Sequence, residues 1–223
     1  MLLFLMTIGC GAERGQRPAE PEVAYSGWVY GDPTYADVFT GGTLTFTLPD
    51  LEPVAASEPY VDYPGYWQAE ALPPSTPFTL RVEGEGAYPS VWAGDTPASD
   101  GSWLQGALFA AQTAYVDELV AGLAQVTGEV GSPADGAVMA WGLPRDGSDW
   151  DCAAVRVSGV APLCVAVDDE TGTMTVVTEG PFDQFFAFDL APGVVVVDDG
   201  FGGEEAYPAE AGDVVLAFWW EHA

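Results

Sequence analysis

Lysine is missing from this 223-residue chain, five arginines supply all of its basic side chains, and histidine occurs once, as His222. Against them stand 34 aspartates and glutamates, giving a formal net charge of −29. So acidic a surface is repelled by phosphate backbones and anionic headgroups, which excludes nucleic acid as a partner. With one histidine, a Ser-His or Cys-His nucleophile pair has only His222 to draw on, and no Gly-x-Ser-x-Gly elbow occurs. Only three cysteines are present, Cys10, Cys152 and Cys164, and the latter two have no further cysteine or histidine nearby to complete a zinc site. The apolar run at residues 1–9 is too short to cross a bilayer, which takes about 20 residues.

What is present is apolar mass: hydrophobic residues make up 48% of the chain, with 8 Trp, 9 Tyr and 11 Phe, so the acidity does not mark a disordered polymer. The carboxylates are scattered along the chain instead of gathered in a tail. That pattern reads as a solvated, aggregation-resistant surface, with divalent-cation binding as the alternative.

Residues 1–10 have the length of the apolar core of a secretory signal. Their ending, Thr7-Ile8-Gly9-Cys10, resembles the bacterial lipoprotein signal. The resemblance implies that Cys10 is lipidated on its sulfur and becomes the mature N-terminus, which would anchor the protein in the bacterial cell envelope, on the periplasmic face or the cell surface. Residues 11–22 are polar, contain proline and lack periodicity, as a flexible tether should.

The rest of the chain is read as a tandem repeat. Glu70-Ala71-Leu72-Pro73-Pro74 leads into Phe78-Thr79-Leu80-Arg81-Val82, and Phe188-Asp189-Leu190-Ala191-Pro192 leads into Val194-Val195-Val196-Val197. Each is a strand, a proline corner and a second strand, and each continues to the same tripeptide, Ala87-Tyr88-Pro89 and Ala206-Tyr207-Pro208. Upstream of the first corner, Thr43-Leu44-Thr45-Phe46-Thr47-Leu48 alternates hydroxyl and apolar side chains, which predicts a strand with one wet face. Residues 49–65 hold four prolines and read as a surface connection, with Tyr60, Tyr63, Tyr66 and Trp67 crowded at its far end.

The Leu-Pro-Pro-x-Thr-Pro corner followed by Phe-Thr-Leu-Arg-Val resembles the carboxypeptidase regulatory-like, transthyretin-like β-sandwich module, over about residues 23–110 and again 126–221. That resemblance implies a non-catalytic appendage of extracellular proteins and transfers no catalytic residue. The expected fold is therefore all-β, with two tandem antiparallel β-sandwich domains, 23–112 and 126–223, joined by one short helix at 113–125. The helix rests on Tyr115, Val116, Leu119, Val120 and Leu123 sharing one face while Asp117 and Glu118 take the other, with Thr113 as N-cap and Thr127-Gly128 as its end.

The second copy is longer, and its surplus is assigned to residues 143–163, which hold Cys152 and Cys164. In an exported chain these two are expected to form a disulfide. Asp168, Asp169 and Glu170, and the Asp198-Asp199-Gly200 turn, offer hard oxygen ligands for calcium, although Asp-Gly turns also close ordinary hairpins. Val165-Ala166-Val167 and residues 173–178 are read as a hairpin around the first of these turns, and 194–197 as a fully buried strand. Phe185, Phe186 and Phe188, or Trp219 and Trp220, are candidates for a sugar-stacking platform, with core packing as the competing role. The functional expectation is a non-catalytic cell-envelope lipoprotein, structural or ligand-binding. The alternative is a carbohydrate-binding or calcium-dependent adhesion module, meeting a cell-surface glycan or protein, and the third reading is a hydrolase using paired carboxylates.

Overall fold

The computed structural model describes residues 22–31, 37–58, 62–98, 103–104, 108–142, 151–168, 171–198 and 204–219, with the backbone alone at 103–104, 141–142 and 218–219. Cys10 and the tether up to residue 21 lie outside the described residues, as do 143–150 of the long segment in the second copy.

The hydroxyl–apolar alternation at residues 43–48 does what its period requires. Leu44, Phe46 and Leu48 are buried, while Thr43 and Thr47 face water. This strand, β2 (Gly42–Thr47), is one of ten among the described residues of the first half, with β1 (Val23–Tyr30), β3 (Val54–Ala56), β4 (Tyr66–Leu72), β5 (Pro77–Gly84), β6 (Ala87–Tyr88), β7 (Ser90–Asp95), β8 (Trp103–Leu104), β9 (Leu108–Phe109) and β10 (Ala111–Gln112). Helix α1 (Thr113–Thr127) follows. The second half contributes β11 (Ala137–Gly142), β12 (Arg156–Val157), β13 (Leu163–Val167), β14 (Met174–Val177), β15 (Gln184–Phe188), β16 (Gly193–Asp198), β17 (Glu204–Ala209) and β18 (Val214–Trp219).

The fold is mostly β with one α-helix among the described residues, but its sheets are mixed and not all antiparallel. β1 pairs antiparallel with β4 and parallel with β8 and β9. In the second half β11 pairs antiparallel with β15 and parallel with β18. The expectation of purely antiparallel sheets fails because alternation and turn signals report strands, whereas direction depends on which neighbour a strand finds. β18 also runs parallel to β7, Val214 opposite Ser90 and Val215 opposite Val91, and so joins the halves in one nine-stranded sheet, β14-β13-β15-β11-β18-β7-β5-β2-β3.

Some of the pairings nevertheless recur in the two halves. β5 lies between β2 and β7 as β16 lies between β12 and β17, and β1 lies between β4 and β8 as β11 lies between β15 and β18. The two corners match in backbone too: Ala71 and Asp189 both take positive φ, 59° and 60°, just before Leu72 and Leu190, which are both buried. A non-glycine residue in that region is unusual, so its recurrence at equivalent points marks a shared turn. The Ala-Tyr-Pro tripeptides do not correspond. Tyr88 sits in β6 opposite Ala111, whereas Tyr207 sits in β17 opposite Val195.

One cluster of apolar side chains fills the space between β1–β4 and β2–β5, with Tyr25, Trp67, Phe46, Phe78 and Leu80 at its centre. A second fills the space between β11–β15–β18 and β16–β17, with Val138, Phe185, Val197, Tyr207 and Val215. A third lies on the opposite face of β11–β15–β18, where Val116, Leu119 and Leu123 of α1 cover Met139, Phe186 and Leu216. Burial on both faces explains the unbroken apolar runs of these strands. β16 was expected to be buried throughout, yet it alternates, with Val195 and Val197 inside and Val194 66% exposed, because a strand covered on one face hides only every second side chain.

Helix α1 begins one residue earlier than a Thr113 cap would have it. Thr113 is its first helical residue, and Gln112 stands at the cap position without a side-chain hydrogen bond. It ends as expected at Gly128, whose positive φ (93°) lets its N–H reach the carbonyl of Ala124. The halves are also joined through side chains: Arg81 Nη1 on β5 donates to Asp213 Oδ2 at 2.6 Å just before β18, with Glu210 and Glu83 completing the ion-pair group. Asp213 is buried, and the same oxygen accepts from the Glu210 N–H at 2.7 Å.

Candidate ligand-binding surface

Cys152 and Cys164 are bonded, S–S 2.06 Å with their Cα atoms 5.9 Å apart, so the expected bridge exists. It closes a loop around β12 and borders a shallow cleft of about 210 Å³ lined by Val155, Arg156, Leu163 and Val177 among others. Arg156 Nη1 donates to the carbonyls of Ala153 and Val155, both at 2.6 Å, which turns the guanidinium back on its own loop. The cleft is smaller than the roughly 300 Å³ at which small-molecule sites begin.

The acidic turn forms the expected hairpin, with Val167 opposite Met174. Asp168 Oδ1 accepts from the Thr171 N–H at 2.8 Å and the Thr171 hydroxyl at 2.7 Å, closing the turn locally. Asp169, Glu170, Asp199 and Gly200 lie outside the described residues, and Asp198 is in β16. Among the described residues no group of three or more Asp, Glu, His or Cys side chains could hold a metal ion. His222 and Trp220 lie outside the described residues, and only the backbone of Trp219 is described. Phe185, Phe186 and Phe188 belong to the core, at 0%, 0% and 8% exposure, and form no platform. Their strand is covered on both faces, which a run of aromatics from sequence alone does not reveal.

Among the described residues, the aromatics most open to water lie elsewhere, on the outer face of β1 and β4 and in the turn that leads into β4. Trp28 is 41% exposed and Tyr63 59%, and Tyr66 is half-buried directly across the ladder from Trp28. The Trp28 and Tyr66 rings meet edge to face, centroids 4.8 Å apart and planes at 79°. Val38, also 41% exposed, adjoins Gly65 beneath them. A Cβ at Gly65 would come within 2.4 Å of a Val38 methyl, and its φ of 75° is also one that a side chain disfavours, so only glycine lets these segments close.

The ledge is held in place by its own turn. The Tyr66 N–H donates to the Tyr63 carbonyl, the Val29 N–H donates to the Gly65 carbonyl, and the Gly65 N–H donates to Glu58 Oε1 at 2.8 Å. Strand alternation puts Gln68 and Glu70 on the same face as Tyr66, and Ser57 is paired with Gln68 through the backbone. The strand face beyond the rings thus carries an amide at Gln68 and a carboxylate at Glu70, the latter about 13 Å along the strand from Tyr66. The crowding of Tyr60, Tyr63, Tyr66 and Trp67 in the sequence was the available signal. Which of them faced out needed the register, since Trp67 is buried in the core.

No protein-family model matches the chain, and no curated protein matches it. Among solved structures it is similar to the Bacillus anthracis TIE protein (TM-score 0.32, 10% identity, 89% of this chain and 33% of that one). It is also similar to a streptococcal ancillary pilin (TM-score 0.27, 8% identity, 88% and 67%). A third is the family CBM26 module CBMbc of Eubacterium rectale Amy13K, solved in complex with maltoheptaose (TM-score 0.21, 9% identity, 88% and 91%). The chain spans about a third of the length of the TIE protein.

Proposed function

We propose that this chain is a non-catalytic protein of the bacterial cell envelope, tethered through a lipidated Cys10, in which two tandem β-sandwiches fused into one body hold an aromatic ledge out to a ligand. The ledge carries the reading: Trp28, Tyr63 and Tyr66 stay in contact with water although the chain buries most of its other described aromatics. Exposed aromatic surface kept in a fixed geometry is the usual mark of a binding face. The matching pairings of the two halves support the tandem description, and the parallel β18–β7 contact with the Arg81–Asp213 bridge supports a single rigid body. The Cys152–Cys164 bridge supports export, since disulfides persist in oxidising compartments.

Among the described residues no helix is long and apolar enough to cross a membrane. In this reading the acyl chains on Cys10 do the anchoring, at about 0.8 kcal/mol per buried methylene. Expression in a bacterial host with a clickable palmitate analogue tests the anchor. Label and membrane fractionation should both be lost in Cys10→Ser, and an unlabelled wild-type chain would contradict it. Retention of the purified protein on envelope fragments tests the ledge, with Trp28→Ala expected to release it.

A further inference from the structure

We infer that the ledge of Trp28 and Tyr66, with Tyr63 exposed in the turn before β4, takes a neutral glycan, an inference that rests on the reading of this face as a binding surface. Two rings at 79° form a corner, in which a sugar ring laid on one plane meets the other along its rim. A pyranose offers what such a corner recognises: an apolar face of C–H groups that settles on the electron-rich face of an aromatic ring, and hydroxyls around its edge. Groups along the same surface accept or donate accordingly, with Gln68 next on the strand face, Glu70 further along it, Ser57 exposed opposite Gln68, and Glu58 held by the Gly65 N–H. Carboxylates accept hydroxyl hydrogen bonds well and reject carboxylated or sulfated sugars.

The net charge of −29 strengthens that rejection at long range. A basic peptide would be drawn by the same charge, but its attraction would be spread over the whole surface and would not need stacking rings. The contrast with the second half favours a function for the open face. Ser26 and Gln68, on the outer face of β1 and β4, correspond in register to Met139 and Phe186, which α1 covers, and Ser26 is buried as well, at 4% exposure. The first half opens one pair further along, where Trp28 faces Tyr66, so its exposed rings mark one end of the face and not the whole of it.

Affinity electrophoresis of the full chain in native gels is the test. The gels carry dextran, mannan or hydroxyethylcellulose as neutral probes, alginate as the anionic one and polylysine as the cationic one. At least one neutral polysaccharide should retard the wild type. Trp28→Ala and Tyr66→Ala should each weaken that retardation about tenfold, with the melting temperature reporting that both variants fold. The retardation should survive high salt, whereas polylysine binding should vanish with salt and ignore Trp28. Retardation by alginate equal to that by the neutral probes would overturn the neutral class. If no polysaccharide retards the protein while Trp28→Ala still lowers retention on envelope fragments, the glycan inference fails and the binding surface stands. If Trp28→Ala leaves envelope retention unchanged as well, the binding surface fails with it.

Discussion

The two halves of the molecule share a set of strand pairings and dress them differently. In the second half, the outer face of β11 and β15 carries Met139, Phe186 and Phe188 and lies under α1. In the first, the corresponding face of β1 and β4 buries Ser26, keeps Tyr30 and Gln68 half-buried, and opens to water at Trp28 and Tyr66. An amphipathic helix is the ordinary solution for an apolar sheet face, and the chain contains one such helix among the described residues. Where its face is open, the first half presents aromatic rings instead of an aliphatic surface, so the difference is one of chemistry as well as of cover.

The comparison breaks most completely if the cover is removed. Leu123 is fully buried against the second-half sheet. Leu123→Asp should cost more than about 4 kcal/mol, since it removes a core side chain and buries a charge. A sharp rise in binding of a hydrophobic dye would report the exposed Met139 and Phe186 face. Opening the Cys152–Cys164 bridge by a Cys152→Ala, Cys164→Ala pair should cost about 3 kcal/mol in a denaturant titration, as expected for a loop with a sequence separation of 12. Because β12 lies inside that loop, the loss should fall on the second half.

The fusion of the halves rests on a narrower contact. Asp213→Ala removes the buried carboxylate that Arg81 and the Glu210 N–H share, and should cost about 2 kcal/mol. Hydrogen exchange should then speed up first at the β18–β7 pairing. Each half also has a buried phenol whose ionisation is suppressed. Burial raises Tyr25, with Tyr66 and Tyr30 adding to it, and burial raises Tyr207, with Glu205 adding to it. A pKa raised by folding gives stability that is intact below about pH 10, the ordinary tyrosine value, and lost as pH rises beyond it. Tyrosinate absorbance from Tyr25 and Tyr207 should therefore grow only with alkaline unfolding, and Tyr25→Phe and Tyr207→Phe should tell which half opens first. The smallest stability effect is expected at Trp28→Ala, within about 1 kcal/mol for a half-open surface site, while its effect on binding is the largest.

Much of this arrangement is legible in the residues and some of it could not be. The Thr–apolar alternation of β2, the helix face of Val116, Leu119 and Leu123, the Asp168 hairpin and the Cys152–Cys164 bridge are local patterns, and each holds. Leu72 and Leu190 are both buried and both follow a residue held at positive φ. Strand direction did not follow from pattern. The parallel return of β18 between β11 and β7 is a meeting of segments more than a hundred residues apart from β7. The sorting of aromatics failed for the same reason. Phe185, Phe186 and Phe188 look like a platform until α1 is known to lie over Phe186 and Phe188 and the facing sheet over Phe185, and that Trp28 faces out follows only from its register opposite Tyr66.

The contrast between a sealed face and an open one is tested most directly by hydroxyl-radical footprinting of the native chain, read residue by residue by mass spectrometry. Trp28, Tyr63 and Tyr66 should be oxidised rapidly and become protected when a retarding polysaccharide is present, while Met139, Phe186 and Phe188 stay unlabelled throughout. Protection of the first set in the free protein, or labelling of Met139 at a rate comparable to Trp28, would contradict the account.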